Sequence, residues 1–153
     1  MSDISETDAR VFVDAVSNYF SHLSGEPAVI RSAYLADKTL PRYDYTGLIS
    51  LSGQFRGSVY FSASSVMAAK LLLAMRESDT GKNNLLDIVG EVANTISGNA
   101  RKHYGARLEI STPITIYGHS DEIKAAVRAR PFAIELMWQQ SEGVVVVDLE
   151  VSS

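Results

Sequence analysis

At 153 residues, with 46% hydrophobic and 21% charged residues, the chain has the material for one buried core and the balance of a folded soluble domain. A net charge of −4 gives no electrostatic ground for binding nucleic acid or an anionic membrane, and the lack of cysteine excludes a disulfide framework and thiolate chemistry. The apolar run Val144 to Val147 is far too short to span a bilayer, and the acidic, polar start from Met1 to Asp8 is unlike a secretory signal, so a cytoplasmic protein is expected.

The first predicted element is a helix from about Glu6 to Leu23, in which Val11, Ala15, Val16, Tyr19, Phe20 and Leu23 recur at helical spacing. Gly25 and Pro27 end it, one suited to a left-handed cap and the other unable to continue a helix. Ala28 to Ala36 reads as a strand broken in pattern by Arg31 and Ser32, followed by a loop at Leu40-Pro41-Arg42. Tyr45, Gly47, Ile49 and Leu51 then alternate with Thr46, Leu48, Ser50 and Ser52, and Phe55, Gly57, Val59 and Phe61 alternate with Arg56, Ser58, Tyr60 and Ser62. With Gly53-Gln54 as the turn, these runs predict a hairpin in an antiparallel sheet solvated on one side.

Ser62 or Ser64 can cap a helix from about Ser65 to Glu77, whose Val66, Ala69, Lys70, Leu71, Leu73 and Ala74 give a well-packed, mostly apolar surface. After a polar turn at Ser78 to Lys82, Asn83 is the expected N-cap of a long helix that ends at Gly105. The period then returns to two: Leu108, Ile110, Thr112, Ile114 and Ile116 share a face, with Pro113 marking an edge or bulge. After a turn at Gly118 to Glu122, Ile123 to Arg130 fits helix or strand; the alternation continued by Phe132, Ile134, Leu136 and Trp138 favours strand. Ser141-Glu142-Gly143 is the expected last turn, before Val145, Val147, Leu149 and Val151. Segregated helix and strand runs predict an α+β fold, an antiparallel sheet with helices packed on one face, in a single domain over residues 1–153. The apolar terminal hairpin, Phe132 to Val151, offers strands for pairing across a two-fold axis, so a homodimer is expected.

The long helix carries the unusual pattern. Over Leu85 to Tyr104, Leu86, Val89, Ala93, Ile96, Ala100 and Tyr104 fall on one arc, wide enough to be buried. Opposite lie Asp87, Glu91, Asn94, Gly98 and Arg101, one above the other. An ordinary outer face holds long, flexible Lys and Glu; this one holds two carboxylates, a carboxamide and glycines at Gly90 and Gly98. Each glycine costs a helix about 1 kcal/mol, and the two leave room for close approach to the backbone.

Asp87-x3-Glu91-x2-Asn94, followed by Ile96-Ser97-Gly98-Asn99-Ala100, resembles the signature of the CheC/CheX/FliY phosphatases of bacterial chemotaxis. With one such motif in a short chain, the CheX branch is the nearest in kind; the first helix does not repeat the motif, since its Asp14 and Asn18 are four apart. The resemblance implies a phosphatase acting on the aspartyl phosphate of a CheY-like response regulator. Glu91 would pair with the partner's active-site lysine, and Asn94 would orient the attacking water. Asp87 would have a supporting role, and Gly90, Gly98 and Arg101 would belong to the partner-facing surface. The Mg²⁺ would sit in the regulator, with no cofactor or metal in this chain, and a homodimer is again implied.

Other readings of the same residues exist. Asp87, Glu91 and Asn94 could be a solvated helix face, and two carboxylates at i and i+4 could begin a metal site, though no third carboxylate or histidine stands at helical spacing. His22, His103 and His119 lack partners at ligand spacing. Arg101-Lys102-His103 suits the negative end of a helix dipole. On the same fold, a non-catalytic adaptor or flagellar-switch-like module could use this helix to bind a regulator without turnover.

Overall fold

The computed structural model describes residues 4–37, 39–118, 120–127 and 130–152. His119, the first three residues, and positions 128–129 of the predicted Ile123–Arg130 strand lie outside them. Helix α1 (Glu6–Ser24) leads into β1 (Val29–Leu35), then the β2 (Tyr45–Gly53) and β3 (Phe55–Ala63) hairpin, α2 (Ser65–Ala74) and α3 (Lys82–Tyr104). A short 3-10 turn follows, then β4 (Leu108–Ile110), β5 (Ile114–Tyr117), α4 (Asp121–Ala126), β6 (Phe132–Trp138) and β7 (Ser141–Val151). The seven strands form one antiparallel sheet in the order β1-β6-β7-β3-β2, with β4 and β5 both pairing with β2 at the far edge. This is the α+β architecture expected from the segregated helix and strand runs.

Helices α1, α2 and α3 cover one face of the sheet and enclose the main core, in which Phe12, Phe20, Ile49, Phe61, Ile96 and Trp138 are buried. Ser5 caps α1 by accepting from the Asp8 N–H, and Gly25 closes it with φ +74°. α3 lies over β2 at a glycine contact. A Cβ on Gly47 would stand 2.4 Å from the Val89 carbonyl oxygen and 2.6 Å from the Gly90 Cα. The packed face of α3 is wider than one arc, because the sheet lies under it while α1 and α2 flank it. Leu85, Ile88 and Val92 are therefore buried along with Val89, Ala93, Ile96, Ala100 and Tyr104, while Leu86 is only half-buried.

Several local expectations are corrected. The polar side of the β2–β3 hairpin is solvated only toward its turn, at Ser50, Ser52 and Arg56. Thr46, Ser58 and Ser62 are buried, with Thr46 and Ser62 sharing a hydrogen bond of 2.8 Å and Ser58 donating to the Ala126 carbonyl at 2.7 Å. There α4 and the chain near Tyr43 cover a second, smaller core of Leu48, Tyr60, Ile116, Ile123, Val144 and Val146. Asp121–Ala126 is a helix rather than strand, started by Ser120, whose hydroxyl accepts from the Glu122 N–H. The α3 N-cap is Gly81, which places Asn83 inside the helix. α2 stops at Ala74, and Val66 and Leu73 point outward while Met67, Ala68, Leu71 and Leu72 pack.

The last turn is Gln139–Gln140, both at positive φ, so Ser141 to Gly143 already belong to β7. Pro113 does break its strand: β4 and β5 are separate pieces paired with opposite ends of β2. The terminal hairpin is not an edge. β7 runs between β6 and β3, and β6 is covered by β1, so its backbone groups are already paired and cannot form a two-fold strand junction.

Candidate functional site

The outer stripe of α3 lies where its spacing predicts. Asp87, Glu91, Asn94 and Arg101 are exposed and Gly98 is half-buried. The stripe stays outside because every apolar residue of the helix is claimed by the sheet, α1 or α2. One side-chain bond reaches back to the helix here: Thr95 Oγ1 donates to the Glu91 backbone carbonyl at 2.9 Å. Among the described residues no cation pairs with the Glu91 carboxylate and no group hydrogen-bonds the Asn94 carboxamide. A charge and a donor–acceptor amide, one turn apart on a rigid helix, are thus both unengaged.

The glycines separate. A Cβ on Gly98 would meet nothing within 4 Å, so the outer surface there is open, as close approach requires. Gly90 is buried, and a Cβ on it would stand 2.9 Å from the Thr115 Cγ2. Its place on a partner-facing surface is therefore corrected: the backbone that approaches Gly90 is that of Gly47, and the residue lets α3 sit on the sheet. Arg101 remains exposed, but its Nε donates to the Leu108 carbonyl at 2.7 Å, so its first duty is to tie the end of α3 to β4.

The family model described as chemotaxis phosphatase CheX matches residues 45–137, from the start of β2 into β6, with the α3 stripe at its centre. The chain belongs to the CheX family. Solved CheX structures share its fold over nearly their whole length. One is a chemotaxis protein CheX from Desulfovibrio desulfuricans, at 24% identity with a TM-score of 0.74, covering 94% of this chain and 99% of the other. Another is CheX from Vibrio vulnificus, at 19% identity and a TM-score of 0.77, covering 94% and 99%. A third is the CheX component of a CheX–CheY–BeF3–Mg²⁺ complex from Borrelia burgdorferi, at 17% identity and a TM-score of 0.66, covering 92% and 96%. No curated protein sequence matches the chain.

The CheX fold also brings to the stripe residues that the helix pattern alone does not reveal. A groove of about 530 Å³ runs between α1 and α3 toward the end of α2, lined by Asn18, Tyr19, His22, Met75, Glu91 and Lys102 among others. Tyr19 reads in sequence as one more apolar position of α1; in the fold it lines the same groove as Glu91. Burial, and then the Glu91 carboxylate, push its phenol up to about 12. His22 is exposed, with Nδ1 2.7 Å from the Asn18 carbonyl, and Ser97 is fully buried with its hydroxyl meeting no partner among the described residues. Also among the described residues, no three His, Asp or Glu side chains gather as a metal site, and no helix is long and apolar enough to cross a membrane.

Proposed function

We propose that this protein hydrolyses the aspartyl phosphate of a phosphorylated CheY-like response regulator, with α3 as the inserted element. The reading is carried by one observation: in a chain of the CheX family, Glu91 and Asn94 stand exposed and unengaged one turn apart on α3. The Borrelia complex, in which a protein of this fold is bound to CheY, supports the choice of partner.

In phosphoryl transfer the reacting groups need positioning in line more than covalent help. Asn94 supplies that. Its carboxamide oxygen accepts from a water proton, turning a water lone pair toward phosphorus, while the amide N–H₂ can donate to a phosphoryl oxygen. It has no basic function to perform, because the electrophile is already activated in the regulator. Glu91 docks: an unpaired carboxylate on the same face offers a charge-assisted hydrogen bond to a lysine of the partner and fixes the register of Asn94. Asp87, one turn earlier, adds negative charge for the same approach, and the open surface at Gly98 lets the partner reach the helix backbone. The Mg²⁺ belongs to the regulator in this scheme, and the protein works in the cytoplasm with its substrate.

We also propose a homodimer. The free sheet edge on the α1 side is β1, whose Val29 is 62% exposed, and edge strands with unpaired backbone groups are the ordinary site of strand-to-strand association. Light scattering at tens of micromolar should give twice the chain mass; the mass of one chain contradicts the dimer.

Phosphate release from phosphorylated response regulators of the same genome tests the catalytic reading. One regulator should lose phosphate faster with substoichiometric protein present. A regulator that binds without any acceleration would instead make the protein an adaptor on the same fold.

A further inference from the structure

The groove between α1 and α3 carries two unpaired charges on one wall. Glu91 and Lys102 both line it, and among the described residues neither side chain has an ion-pair or hydrogen-bond partner. Eleven positions of helix separate them, roughly 16 Å at the rise of an α-helix, too far for either to neutralise the other. The facing wall is α1, which runs antiparallel to α3: the Tyr104 O–H donates to Asp8 Oδ1 at 2.7 Å, joining the end of one helix to the start of the other. Tyr19, Leu23 and Met75 add apolar surface to the lining.

Met75 is the exposed apolar member. It follows the last residue of α2 and is 46% exposed, yet its backbone is fixed. Its N–H bonds to the Leu71 and Leu72 carbonyls, the Arg76 N–H bonds to Leu73 at 3.0 Å, and the Glu77 N–H bonds to Leu72 at 2.9 Å. Arg76 closes this cap at φ +63°. That left-handed conformation is normally left to glycine and costs other residues about 1 kcal/mol or more. The cap stops α2 and leaves a thioether at the groove with a rigid base and a flexible tip, suited to fitting a second protein's surface.

We propose that this groove is the part of the regulator interface that selects the partner. It takes an exposed segment of the activated regulator in which an apolar side chain, laid on Met75, stands between the basic residue that meets Glu91 and an acidic residue that meets Lys102. The inference rests on the phosphatase reading and deepens it. The occupant is the regulator because Glu91 is itself part of the groove: a partner that sets a lysine on this carboxylate covers the opening beside it. Opposite charges at the two ends admit such a segment in one direction only and repel one with its charges reversed. The apolar contact does not change as the phosphoryl group reacts, so it acts on affinity rather than on the chemical step.

The test uses the full chain with Met75→Ser, Lys102→Gln and, as a control, Leu73→Ser, measured against a regulator in its phosphorylated form and in its beryllofluoride form. All three residues are exposed, so the fold is preserved. Met75→Ser should weaken binding of the beryllofluoride form by roughly five- to tenfold, with the loss in KM rather than kcat. Lys102→Gln should slow association by roughly threefold at low salt, a difference that shrinks as salt rises. Leu73 is 58% exposed on α2 but outside the groove, and Leu73→Ser should bind as wild type. Wild-type affinity in Met75→Ser would overturn the proposal, as would an equal loss in Leu73→Ser or a salt-independent effect of Lys102→Gln. A change of mass in light scattering with Met75→Ser would give the groove to a second copy of the chain and overturn it too. Wild-type turnover, measured first, tests the phosphatase reading by itself. A protein that binds without turnover sinks that reading and leaves the binding arms to decide the groove, and one that binds no regulator sinks both.

Discussion

The two faces of α3 use opposite materials on one 23-residue helix. The inner face is filled by Leu85, Ile88, Val89, Val92, Ala93, Ile96 and Ala100, and it closes down on the sheet at Gly47 and Gly90 with no space left. The outer face carries Glu91 and Asn94, whose side chains bond to nothing among the described residues, over a surface left open at Gly98. A helix held this firmly on one side can present groups on the other with little freedom, which is the condition for positioning a water and a charge against a second protein. The comparison also separates kinds of damage: inner changes should appear in stability and outer changes in turnover or binding.

The largest test of the inner face is Ile96→Ala. Ile96 is fully buried at the centre of the core, so the truncation should cost about 2–5 kcal/mol. Chemical denaturation reads this directly, and an unchanged midpoint would mean that the helix does not bury this residue. Next is Gly47→Ala. The new methyl group would meet helix backbone at 2.4 Å, which cannot yield as a side-chain tip can. A loss of about 1–3 kcal/mol is expected from overpacking, and wild-type stability would show that β2 and α3 are not in close contact.

On the outer face, Glu91→Ala should leave the denaturation midpoint in place while weakening binding to an activated regulator by about tenfold, the scale of one charge-assisted contact. A destabilised protein with normal affinity would move Glu91 to the structural side. The smallest effect lies between the faces. Ser97→Ala removes a buried, unpartnered hydroxyl and installs a better helix former, so a gain of about 0.5–1 kcal/mol is expected with no change in turnover. A loss of activity there would bring Ser97 into the site.

Much of this was legible in the sequence where the signal is local and repeated. α1, the β2–β3 hairpin and α3 have long runs of a single period, and Gly25, Ser64 and Gly105 stand at their ends as caps. The outer stripe followed from the same period, since Asp87, Glu91 and Asn94 share a face in any helix. What failed depended on neighbours far along the chain. Asp121–Ala126 is one and a half turns, too short for periodicity to choose between helix and strand. The Gln139–Gln140 turn has no glycine to announce its positive φ. The terminal hairpin was read as an edge because apolar strands look alike wherever they lie; only the order β1-β6-β7-β3 shows that both its sides are covered. Gly90 and Gly98 were read together, though eight residues apart they differ by some 80° around the helix, and only the position of Gly47 decides which is packed. The same holds for Tyr19, which shares a groove with Glu91 only because α1 lies antiparallel to α3.

The central claim is that Asn94 positions water on a helix docked by Glu91. The measurement that tests it most directly is single-turnover loss of phosphate from the regulator, with wild type and Asn94→Ala, beside direct binding to the beryllofluoride form. The account predicts that Asn94→Ala folds and binds as wild type but loses roughly 10²-fold or more of the accelerated rate, the scale of a positioned catalytic group. An Asn94→Ala protein that releases phosphate as fast as wild type would contradict it.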